Sequence, residues 1–133
     1  MKTNYLAIAA CAVINAVLGM GWYGIFSQQW MAGNNLTEAA MNARENPTLP
    51  VIVSIAVALI AGYLFTVLFR RMQVADWTDG AKTGFTIGLF GFFGTIVGNM
   101  YAMRPMALSL IDGGFVLLQF AAFGAVIGGW QKR

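Results

Sequence analysis

Four uninterrupted apolar stretches constrain this chain more than any other feature. Crossing about 30 Å of hydrocarbon takes roughly 20 helical residues, and runs of that length occupy residues 4–26, 49–69, 81–103 and 106–130. Within the second, Val51-Ile-Val-Ser-Ile-Ala-Val-Ala-Leu-Ile60 is apolar almost throughout, whereas a barrel strand alternates apolar and polar residues. The fold class is therefore all-α: one domain over residues 1–133, a polytopic membrane protein whose four transmembrane helices form a compact bundle. Composition agrees. Apolar residues make up 59% of the chain and charged residues 10%, more apolar surface than a soluble domain of this length hides from water.

The first stretch also has features of an export signal. Lys2 precedes the apolar run, and Ile8-Ala9-Ala10-Cys11 loosely resembles the box at which bacterial lipoproteins are cleaved and acylated. Too little chain precedes Cys11 for a charged region plus an apolar core of about 7–15 residues, and the run continues to Phe26. A retained helix is expected. The lone cysteine forms no intrachain disulfide and says nothing of redox compartment.

Charge supplies an orientation. If the helices alternate in direction, one side receives Lys2, Arg70, Arg71, Lys82, Lys132 and Arg133, and the other only Arg44 and Arg104. The positive-inside rule then puts both the N and C termini in the cytoplasm of a multi-pass inner-membrane protein. Trp22, Tyr23, Trp30 and Tyr101 fall near the outer interface, and Tyr5, Trp77 and Trp130 near the inner one, where amphipathic rings prefer to sit. The net charge of +3 is dispersed rather than gathered into a basic stripe, so no nucleic-acid partner is expected. The partner that composition implies is the lipid bilayer.

Residues 27–48 form the one sizeable extramembrane segment, predicted to lie outside. Residues 36–44 read as a short helix with Thr37 as N-cap, an acidic first turn, a basic end and Pro47 as a stop. Between the second and third spans, Asp76 or Thr78 is placed to cap the next helix. The link between the third and fourth is very short, which predicts an antiparallel hairpin.

Small residues mark the expected packing surfaces. Gly84, Gly88, Gly91, Thr95 and Gly98 recur at spacings of four and three along one helical face, as do Ala121, Gly124 or Ala125, and Gly128 in the fourth span. Such stripes let backbones approach where lipid supplies no hydrophobic drive. On the first span Cys11, Asn15, Gly19 and Trp22 share a face, which points Asn15 toward another helix, with Gln119 at a comparable depth.

Asp112 is the most informative single residue. If its helix begins near Met106, the carboxylate lies roughly 9 Å along the axis, a depth at which charge is costly and by default points to function. Two structural readings compete: Asp112 caps a shorter helix beginning at Gly113-Gly114, or it pairs with Arg104 across the turn. Asn15, Asn99, Arg104, Asp112 and Gln119 together form the candidate polar binding cluster. No catalytic residue, metal ligand or cofactor is expected, because the chain has no histidine, no zinc-ligand spacing and no phosphate loop. Cys11 reads as a small hydrophobe and the eight methionines as packing.

Several short blocks in order carry a family resemblance: Leu18-Gly19-Met20-Gly21-Trp22-Tyr23-Gly24, Trp30-Met31, Leu36-Thr37-Glu38, Asp79-Gly80-Ala81-Lys82-Thr83-Gly84-Phe85, Leu110-Ile111-Asp112-Gly113-Gly114 and Gly128-Gly129-Trp130. Over most of its length the chain resembles the small bacterial membrane proteins grouped as domain of unknown function 1761. The resemblance implies four membrane helices and no particular activity. Two roles follow from the residues: a structural or accessory subunit, as a homo-oligomer or part of a larger membrane complex, or a small oligomeric transporter or channel. A lipid- or quinone-binding protein is a third, and an enzyme is not expected.

Overall fold

The computed structural model describes residues 1–132, which leaves Arg133, counted above among the basic residues, outside the described residues. Among the described residues six helices follow one another: α1 (Tyr5–Ile25), α2 (Ser27–Gly33), α3 (Glu38–Asn42), α4 (Leu49–Met72), α5 (Trp77–Tyr101) and α6 (Met106–Gly129). Among the described residues there is no strand, and α1, α4, α5 and α6 are long and apolar enough to cross a membrane.

Capping chemistry sets the helix ends. Asn4 accepts from the Leu6 and Ala7 amides and starts α1. Asp76 accepts from the Asp79 amide at 2.9 Å, so α5 begins at Trp77, one turn before the expected residue 81, and brings Gly80 into the helix. α4 runs three residues past 69 and ends on Gln73 in the left-handed region, φ 56°. Thr37 caps α3 through the Ala40 amide, and the Arg44 Nε donates to the Met41 carbonyl at its far end. α2 departs from the reading of residues 27–33 as loop: the chain breaks at Phe26 and resumes as a short helix whose Gly33 rests on Leu108.

α6 is the hub, packing against α1, α2, α4 and α5. Its closest partner is α5, which meets the rest of the chain almost wholly through it. The small residues explain that closeness: Gly80 and Gly84 lie directly on the backbone of Gly124 and Phe120, and a Cβ on Gly128 would stand 2.6 Å from the Asp76 carbonyl oxygen. Such backbone approach replaces the missing hydrophobic drive with van der Waals contact. Gly88 meets Leu117 and Phe120, and Gly91 meets Val116.

Buried apolar residues concentrate toward the end of the bundle that holds the termini. Ala7, Ile8 and Cys11 of α1, Ala58, Phe65 and Phe69 of α4, and Phe123 and Ile127 of α6 pack as one cluster. Phe65 meets Phe69, Phe120 and Phe123 edge to face, the geometry aromatic quadrupoles favour. The same end is closed by hydrogen bonds: the Lys2 amide to the Lys132 carbonyl at 2.6 Å, Asn4 Nδ2 to the Trp130 carbonyl at 2.8 Å, and Gln131 Nε2 to the Val74 carbonyl at 2.8 Å. Both ends of the chain therefore share one end of the bundle with the α4–α5 link. Outward faces such as Val51, Ile52, Val57 and Ile60 of α4 stay exposed, as a lipid-facing surface must.

Candidate functional site

The polar residues of α1 and α6 meet along one seam rather than in one cluster. Asn4 holds Trp130 at the terminal end. Midway, Gln119 Nε2 donates to Asn15 Oδ1 at 2.5 Å. Nearer the far end, Trp22 Nε1 donates to the Ile111 carbonyl at 2.9 Å, using the second lone pair that a helical carbonyl keeps. One residue on, the Tyr23 hydroxyl donates to Asp112 Oδ1 at 2.8 Å. Each contact satisfies a group that hydrocarbon could not, which is why the two helices dock in this register.

Asp112 is thus neither a helix cap nor the partner of Arg104. α6 begins at Met106 after Pro105, so Asp112 lies in its second turn, past the capping positions. Among the described residues no ion pair joins it to Arg104. The α5–α6 turn explains this: the Arg104 amide closes onto the Asn99 carbonyl at 2.9 Å, and its side chain stays exposed. Asn99 is buried and donates to Ser109 Oγ at 3.1 Å, a separate link between α5 and α6. The five candidate residues therefore divide among Asn15 with Gln119, Asn99 with Ser109, Asp112 with Tyr23, and Arg104 apart.

The Tyr23–Asp112 pair borders a cavity of about 430 Å³, walled by Tyr23, Ser27, Trp30, Met31, Met41 and Asp112. Tyr23 and Trp30 stand edge to face there, ring centroids 6.2 Å apart. On its other side Tyr23 borders a second cavity of about 380 Å³ between α1 and α4, reaching back to Asn15. Tyr23, Ser27, Trp30 and Met41 were not among the expected site residues. For Tyr23 a signal existed, since the α1 face of Asn15 and Gly19 continues through position 23 at helical spacing. Ser27 and Trp30 belong to α2, whose polar opening gives no periodic signal.

Among the expected packing glycines, Gly84, Gly88, Gly91, Gly124 and Gly128 lie in the α5–α6 contact, and Gly98 does not: nothing stands within 4 Å of where its side chain would begin. Beyond Gly91 the contacting face passes through Thr95 and Asn99, four residues apart, which turns Gly98 away.

No curated protein and no solved structure is significantly similar to this chain. A family model described as a protein of unknown function does match it, over residues 6–128, which takes in all but the terminal residues of the four spans and the seam from Asn15 with Gln119 to Tyr23 with Asp112. With that match over most of its length, the chain belongs to the family of proteins of unknown function DUF1761.

Proposed function

We propose that this protein is a non-enzymatic component of a membrane assembly, a structural or accessory subunit that associates with a second copy of itself or with the helices of a larger complex. The observation that carries this reading is the unfilled face of α5. Gly94 and Gly98, four residues apart, have nothing within 4 Å of where a side chain would begin. By helical spacing Phe90, Val97 and Tyr101 share that face, and they are 80%, 52% and 88% exposed. A small-xxx-small step flanked by large apolar side chains is what two membrane helices use to bring their backbones together. Among the described residues it has no partner. A transport path through one chain has less support, because Asn15, Gln119 and Asn99 already hold hydrogen-bond partners.

Disulfide cross-linking tests the reading. In a Cys11→Ser background in native membranes, Gly98→Cys should cross-link two copies far faster than Val57→Cys on the lipid-facing side of α4. Cross-linking to other membrane proteins instead would assign the face to a larger complex. Equal, slow reaction at both positions would remove the proposal.

In this reading the membrane is a bacterial inner membrane and both termini are cytoplasmic, supported by Lys2, Arg70, Arg71, Lys82 and Lys132 at one end against Arg44 and Arg104 at the other. With Cys11 replaced by serine, a cysteine at Gln73 should be shielded from an impermeant maleimide added outside the cell and one at Asn42 should react. The reverse pattern would invert the orientation.

A further inference from the structure

We propose that the cavity beside Asp112 is a binding site for an organic cation, an ammonium group carrying an apolar body. Asp112 supplies the counter-charge, and Tyr23 and Trp30 supply the aromatic walls. The inference is independent of whether the chain self-associates.

It begins with the charge on Asp112. The carboxylate lies six residues into α6, roughly 9 Å from the helix start at 1.5 Å per residue. Its hydrogen-bond partner in the protein is the Tyr23 hydroxyl, a neutral donor. Among the described residues no lysine or arginine pairs with it. Arg44, on the segment that carries Met41, donates its Nε to the Met41 carbonyl. One neutral hydrogen bond compensates a carboxylate poorly at that depth, and uncompensated charge inside a membrane marks a place where a counter-charge arrives.

The walls select which counter-charge. The side chains that line the cavity are apolar apart from Asp112, Ser27, the Tyr23 hydroxyl and the Trp30 indole N–H. A divalent metal ion needs about six oxygen ligands, and one carboxylate with two hydroxyls falls short of that. An anion is repelled. An ammonium with apolar substituents suits every surface present: its charge goes to the carboxylate and the aromatic side chains of Tyr23 and Trp30, and its carbon body to Met31 and Met41, whose thioethers adapt to irregular shapes. The volume of about 430 Å³ lies within the range of about 300–1,000 Å³ usual for small-molecule sites.

Equilibrium dialysis with radiolabelled benzyltrimethylammonium tests the site, using the full chain in a maltoside detergent that carries no charge. Neopentylbenzene, the same shape with carbon in place of the charged nitrogen, serves as competitor. Saturable binding at one site per chain is expected, with the neutral competitor at least about tenfold weaker. Asp112→Asn keeps an oxygen acceptor for Tyr23 while removing the charge, and should weaken binding about tenfold or more. Trp30→Leu, on α2 outside the spans, should weaken it several-fold, so the test survives if Asp112→Asn fails to fold. Absence of saturable binding, equal competition by neopentylbenzene, or unchanged affinity in Asp112→Asn or in Trp30→Leu would overturn the proposal.

Discussion

Gly80 and Gly124 face each other so closely that a methyl group on either would overlap the carbonyl oxygen of the other. The atoms in the way are backbone, so no side-chain rotation relieves the overlap and the two helices must separate. Gly80→Ala and Gly124→Ala should therefore each destabilise the protein by about 1–3 kcal/mol. Gly21→Ala in α1 meets nothing and removes a flexible residue from a helix interior, so it should be neutral or stabilising by about 0.5–1 kcal/mol. Unfolding in mixed micelles compares the three, and equal losses would show that the close approach has no energetic weight.

The link between Tyr23 and Asp112 makes a second expectation, measured by a double-mutant cycle. Tyr23→Phe should cost about 1–3 kcal/mol, as for a hydrogen bond to a charged group, Asp112→Ala should cost less because it also removes a poorly compensated charge, and Tyr23→Phe should cost clearly less in the Asp112→Ala background than alone. Arg104→Gln should change stability by no more than about 0.5 kcal/mol, because its side chain is exposed. Strictly additive effects at Tyr23 and Asp112 would show that their hydrogen bond has no energetic weight, and a large loss at Arg104 would restore the ion pair that proximity in sequence suggests.

The turn between α5 and α6 offers a stabilising change. Met103 sits at φ 56°, with the Arg104 amide on the Asn99 carbonyl at 2.9 Å and the Met103 amide on the Met100 carbonyl at 3.0 Å. That is the arrangement in which helices usually end on glycine. Met103 is 93% exposed and so has little packing to lose. Met103→Gly should stabilise the protein by up to about 1 kcal/mol, by removing the left-handed strain net of the entropy glycine adds to the unfolded chain. A loss of stability would mean that Met103 has contacts in the membrane that outweigh its backbone.

What the sequence reveals follows from which signals are local. Span lengths are readable because 20 apolar residues in a row admit few alternatives. The glycine stripe is readable as a periodicity, but its ends depend on features that periodicity lacks. Gly80 joins the contact because Asp76 rather than Thr78 caps α5, and Gly98 leaves it because the contacting face turns onto Asn99. The pairing of Asn15 with Gln119 is legible from matching depth on two spans. Asp112 is not, because its near neighbour in sequence is Arg104 while its partner in space, Tyr23, lies 89 residues away. Trp30 escapes for a third reason. A seven-residue helix that opens Ser-Gln-Gln carries no apolar period, and its position comes from Gly33 resting on Leu108.

The claim that the free face of α5 is a contact surface is tested most directly by the mass of the protein released from lipid nanodiscs in native mass spectrometry. The account expects the wild-type chain to leave the bilayer as a dimer or larger assembly, and Gly94→Leu with Gly98→Leu to leave it as a folded monomer, because leucine at both positions blocks backbone approach without touching the α5–α6 contact. A wild-type protein that is monomeric when released, both alone and from membranes of the cells that make it, would contradict the account, as would an oligomer that the double substitution leaves intact.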